Sequence, residues 1–227
     1  MQTNANWQIF QNVDQVAEAA CEQIVAASRT AIADRGRFKL VLAGGSTPEK
    51  VYRLLSKADC DWSKWHVYFG DERCLPADHA DRNSMMAKKS LLENVPIPVE
   101  QIFEIPAERG PEKAAECYCR TVAEALPFDL VLLGMGEDGH TASLFPGHRH
   151  NESELAHAVY NSPKPPPERV SVSARALSDT RQLIFLITGK SKQEPVKLWR
   201  EGADLPVATI NPDNPVDIYI DSEALPY

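Results

Sequence analysis

Short apolar runs recur along the chain, each followed by a stretch of helical periodicity. Trp7 to Phe10 reads as a first strand. After it Val13, Val16, Ala17, Ala20, Cys21, Ile24 and Val25 fall at helical spacing, with Asn12 placed to cap the helix. Phe38 to Leu42 predicts a buried strand, Gly44-Gly45-Ser46 a turn, and Thr47-Pro48-Glu49 the start of a helix. Trp65 to Phe69 is the next strand and stops at Gly70-Asp71-Glu72-Arg73. Asn83 to Asn94 reads as one helix, Gln101 to Ile105 as a short edge strand, and Glu112 to Leu126 as an amphipathic helix ending before Pro127. The run Phe128 to Leu133 predicts another buried strand. Beyond Gly147 the pattern loosens into a polar loop, His148 to His157, and an extended segment, Pro163 to Pro167. Arg169 to Ser173 alternates like a strand, Leu183 to Thr188 is apolar throughout, a helix runs to Trp199, and Val216 to Ile220 forms the last strand. Strands alternating with helices predict an α/β fold with a mainly parallel sheet covered on both faces. With no repeat and no linker, the expectation is a single domain over 1–227.

Composition narrows the function classes. Of 227 residues, 43% are hydrophobic and 25% charged, the profile of an ordinary soluble globule. A formal charge of −8 argues against non-specific nucleic-acid binding but leaves room for a local cationic cluster that takes a small anion. Cys21, Cys60, Cys74, Cys117 and Cys119 have no framework spacing and read as reduced thiols. The N-terminal residues lack signal-peptide character, and no apolar run is long enough to span a bilayer, so a cytoplasmic location without membrane contact is expected. His148, His150 and His157 match no zinc spacing and sit among Asn, Glu and Ser, so a solvated loop and no metal are expected there.

Chemistry concentrates where strands end. Gly134-Met135-Gly136 leads to Asp138 and His140, which places a carboxylate and an imidazole at the carboxyl end of a buried strand, where open α/β sheets bind ligands. His140 is a candidate general base. The same residues also fit a glycine-rich turn around a structural histidine. In GGSTP, backbone N–H groups and a helix start suit a phosphate, with Ser46 and Thr47 as further donors, though a simple capped helix fits too. Asp71-Glu72-Arg73 reads either as the rim of a site or as a solvated salt-bridge cluster. Arg169 and Lys192 gain meaning only if folding brings them to Gly45. Ser143 lies outside any G-x-S-x-G elbow and reads as a residue that caps or lines the turn.

Six segments in order, LAGGSTPEKVY, VYFGDERCLP, DRNSMMAKKSLL, FDLVLLGMGEDGHTASLFPG, PPPERVSVS and LITGKSK, resemble the glucosamine-6-phosphate isomerase/6-phosphogluconolactonase family, and within it the lactonases. The resemblance covers nearly the whole chain. It implies a three-layer, Rossmann-like α/β/α sandwich shared with glucosamine-6-phosphate deaminase and ribose-5-phosphate isomerase. It further implies hydrolysis of a sugar-phosphate lactone with no cofactor or metal, by a monomer or weak homo-oligomer. It makes His140 the base that activates water, Asp138 its orienting carboxylate and Arg73 the stabiliser of the developing oxyanion. The phosphate would rest on Gly44, Gly45, Ser46 and Thr47, with Asp71 nearby and Arg169 and Lys192 as clamps; the pattern T-G-x-x-K selects Lys192 over Lys190. A deaminase or isomerase would use Asp71 as a proton-abstracting base, and a non-catalytic sensor would keep only the phosphate cradle. Deaminases carry an Asn-Glu-Pro segment after the histidine turn, where this chain has Ser143-Leu144-Phe145-Pro146.

Overall fold

Buried runs of the kind seen in Phe38–Leu42, Leu130–Gly134 and Leu183–Ile187 need neighbours on both sheet faces, and the fold supplies them. The computed structural model describes residues 5–151 and 153–226. Its elements are β1 (Ala5–Phe10), α1 (Val13–Arg35), β2 (Phe38–Leu42), α2 (Ser46–Leu55), β3 (Trp65–Phe69), β4 (Asp71–Arg73), α3 (Asn83–Ala87), β5 (Ile102–Phe103), α4 (Pro111–Ala125), β6 (Leu130–Gly134), β7 (Ala156–Val159), β8 (Arg169–Val172), α5 (Ala174–Ser178), β9 (Leu183–Ile187), α6 (Gln193–Arg200) and β10 (Val216–Asp221). Seven of the strands form a parallel sheet in the order β1-β10-β9-β6-β2-β3-β5.

Local chemistry explains the flanking helices. Asn12 accepts the N–H groups of Asp14 and Gln15 and so starts α1, which Gly36 ends in the left-handed conformation, φ 73°. The stripe Val16, Ala17, Ala20, Ile24 and Ala31 is buried, and α1 packs on α2, β2 and β10. Pro111 opens α4, whose Ala114, Tyr118 and Val122 are buried; the Tyr118 hydroxyl accepts the Phe69 N–H at 2.9 Å and locks the helix to β3.

Strand order fixes where a site can form. From β2 the chain builds outward through β3 and β5, then returns to place β6 on the other side of β2 and continues to β9 and β10. The growth direction reverses between β2 and β6, and the crevice beyond their carboxyl ends is the expected binding place.

Four expectations need correction. Asp71–Arg73, expected only to end the preceding strand, is itself a strand, β4, in a second, antiparallel sheet β4-β8-β7. The loop expected over His148 to His157 runs at its end into a strand, β7 (Ala156–Val159), and His157 on it is buried. Neither strand exceeds four residues, so their pairing depends on partners remote in sequence rather than on local pattern. The helix expected over Asn83–Asn94 breaks at Ala87 and continues as a π-helical turn, Lys88–Leu92. The edge strand near Gln101 shrinks to Ile102–Phe103.

Candidate active site

β6 delivers its carboxyl end to the crevice, and the chain reverses at once. Gly136 donates its N–H to the His140 carbonyl at 2.8 Å, which folds Glu137, Asp138 and Gly139 into a tight turn. Asp138 Oδ1 lies 2.5 Å from His140 Nδ1 and also accepts the His140 backbone N–H at 3.2 Å. A carboxylate can only accept, so Nδ1 carries a proton, and in the neutral ring Nε2 is the nitrogen that can accept. Burial pushes the Asp138 pKa up, but hydrogen bonds and charge from His140 outweigh it and hold the carboxyl below its ordinary value. Thr141 pins the far side of the turn by donating to the Gly134 carbonyl at 2.8 Å. The Phe145 ring stands 4.7 Å from the imidazole and shields its flank.

The crevice is a cavity of about 490 Å³. Gly44, Gly45, Asp71, Arg73, His140, Arg169 and Lys192 all line it, so folding brings most of the candidate residues together. Asp138 stands behind His140. Ser46 and Thr47 lie outside the wall, and the Thr47 hydroxyl is bound to Thr188 Oγ1 at 2.6 Å. Lys192 is half-buried on a 3₁₀ turn whose base, Gly189, donates to Asp221, whereas Lys190 is exposed and outside the wall. Burial lowers the Lys192 pKa, which Glu137 partly opposes.

The small sheet gives the cavity two of its cations. Arg73 on β4 pairs directly with Arg169 on β8. Like charges facing across strands repel, and an anion between them would relieve that repulsion. Arg169 is 3% exposed. Its guanidinium donates to the carbonyls of Lys164, Pro165 and Pro166 and lies 5.5 Å over the Phe145 ring. Burial holds its pKa below the ordinary value. Arg73 donates to the Asp81 carbonyl at 2.5 Å.

Several residues of this network carried no role in the sequence reading. Asn83 bridges to Asp71, its amide nitrogen 2.9 Å from Oδ1, and a Cβ on Gly44 would sit 2.1 Å from the Asn83 amide oxygen. Only glycine at 44 allows that approach. Asp71 Oδ2 accepts from Ser143 Oγ at 2.6 Å. Glu72 is wholly buried and accepts the N–H groups of Arg73, Asn83 and Ser84, with Arg82 Nε 3.4 Å from its carboxylate. Lys164 and Glu137, an ion pair at the mouth, also line the cavity. The signal for Asn83 lay in the segment DRNSMM; for Lys164 and Glu137 nothing local distinguishes them from surface charges.

The family model described as glucosamine-6-phosphate isomerases/6-phosphogluconolactonase matches residues 11–219. The chain belongs to this family. A 6-phosphogluconolactonase from Rattus norvegicus is 37% identical over 194 residues, which cover 79% of this chain and 76% of the relative. A probable chloroplastic 6-phosphogluconolactonase 3 from Oryza sativa subsp. indica is 38% identical over 81% of this chain, and the match spans only 62% of that relative's length. Among solved structures, a 6-phosphogluconolactonase from Thermotoga maritima superposes with a TM-score of 0.90 at 27% identity, covering 96% of this chain and 100% of that one. A monomeric glucosamine-6-phosphate deaminase shares the fold, with a TM-score of 0.84 at 21% identity.

Proposed function

We propose that this family member hydrolyses 6-phospho-D-glucono-1,5-lactone to 6-phosphogluconate. The observation that carries the reading is the His140–Asp138 pair, whose imidazole lines a cation-rich crevice at the sheet's reversal point. Nε2 takes a proton from water as the oxygen attacks the lactone carbonyl, and Asp138 stabilises the imidazolium. Arg73 stabilises the charge developing on the carbonyl oxygen. The imidazolium then returns its proton to the departing ring oxygen. The phosphate is held by the Gly44 and Gly45 loop at the start of α2, with Arg169 and Lys192; binding at that remote end positions the ring for attack. One domain with no cofactor suffices, and five free cysteines suit a reducing cytoplasm.

Deaminase chemistry is disfavoured by Asp71. Its two carboxylate oxygens are engaged by Asn83 and Ser143, and the segment after the His140 turn brings Phe145, not a glutamate, against the imidazole. The deciding experiment follows lactone decay at neutral pH with the wild type and His140→Ala. Wild-type acceleration that drops about 100-fold or more in the mutant supports the proposal. Folded wild-type protein that leaves the spontaneous rate unchanged would sink it and favour a sensor.

A further inference from the structure

The cavity wall carries four cations, Arg73, Lys164, Arg169 and Lys192, and two carboxylates, Asp71 and Glu137. Asp71, hydrogen-bonded to Ser143 and Asn83, acts by charge on Arg169, whereas Glu137 stands against Lys164 and Lys192. It pairs with Lys164 across the mouth, joining the turn that carries His140 to the segment that holds Arg169. Lys164 is well placed by its own backbone: its carbonyl accepts from Arg169 at 2.9 Å and from Ser162 Oγ at 2.8 Å. Both side chains of the pair are partly exposed, 40% for Lys164 and 57% for Glu137, so exchange of the partner costs little desolvation.

On the lactonase reading the charge of the ligand changes during the reaction. Opening a neutral ester leaves a carboxylate, so the product carries one more negative charge than the substrate and the same phosphate. A strongly cationic cavity would then hold product more tightly than substrate and delay its release. We infer that Glu137 is a built-in anion that competes with the ligand's anionic groups for Lys164 and so limits how tightly 6-phosphogluconate is held. Lys164 is by the same inference a ligand-binding residue, and Glu137 is its counterweight.

Calorimetric titration with 6-phosphogluconate tests this without relying on turnover. Glu137→Gln frees Lys164 and is expected to tighten binding about two- to fivefold, the scale of an exposed ion pair. Lys164→Ala weakens binding, and in that background Glu137→Gln has no further effect. If the ion pair merely braces the segment, both single variants weaken binding, which would overturn the inference. Tightening by Glu137→Gln that persists without Lys164 would overturn it too, as would a wild type that does not bind 6-phosphogluconate. A wild type that binds but does not accelerate lactone decay would remove the lactonase reading and leave the competition for Lys164 standing on the titrations.

Discussion

At the scale of single residues, the catalytic geometry depends on an atom that is missing. A Cβ on Gly136 would sit 2.1 Å from both Nδ1 and Cε1 of His140 and 2.7 Å from Asp138 Oδ1. Its backbone is not left-handed, so alanine fits the main chain, but the imidazole and the Asp138 carboxylate must both move. Gly136→Ala is therefore expected to lower kcat by about 100-fold, the cost of displacing a catalytic group by an ångström. Its urea midpoint should stay near that of the wild type. Retained turnover would show that the observed ring position is not the working one. His140 and Asp138 were legible in sequence because glycines crowd around them after an apolar run. Gly136 could be counted among those glycines, but the reason for it lies in where the histidine ring folds back. Glu137, one residue on, was not legible, because its partner Lys164 arrives from a different segment.

At the scale of elements, β4 and α3 are joined by one carboxylate. Glu72 accepts three backbone N–H groups, two of them at the start of α3, and sits beside the buried Arg82. Arg82 is further held by the Ile105 carbonyl and Glu108. Glu72→Ala leaves buried donors unsatisfied and a guanidinium short of charge, so a loss of about 3–5 kcal/mol is expected in urea unfolding. A loss below about 1 kcal/mol would mean that Glu72 is dispensable to the fold. The three charges Asp71-Glu72-Arg73 read from sequence as a rim or a solvated cluster. In the fold Glu72 is a buried anchor, while Asp71, tied to Ser143 and Asn83, lines the cavity together with Arg73. Periodicity finds the long, doubly buried strands β2, β6 and β9 because their runs are continuous. It misses β4 and β7, whose three or four residues are strands only because β8 lies between them.

At the scale of the whole molecule, acid sensitivity is built into the packing. His157 on β7 is 3% exposed, and both ring nitrogens lack a hydrogen-bond partner among the described residues. Burial, aided by neighbouring His150, pushes its pKa down from 6.5 to about 3. The unfolded chain thus binds this proton more readily than the folded one between those values, so stability rises with pH across that window and levels off above about 6.5. Thermal unfolding should show a loss of about 2 kcal/mol at pH 5 relative to pH 7, and His157→Leu should remove most of it. An unchanged slope in that variant would assign the acid sensitivity elsewhere. The parallel sheet has a second consequence, in the order of synthesis. Asn6 of β1 bonds Asp217 of β10, 211 residues away, and β10 is the strand that β1 pairs with. At ribosomal speeds the first strand waits roughly 10–40 s for its partner. By then β2 through β9 and every cavity residue up to Lys192 have been made. A nascent chain can therefore assemble the crevice while its first strand has neither edge paired, and the arrival of β10 covers one edge and leaves the other at the rim of the sheet.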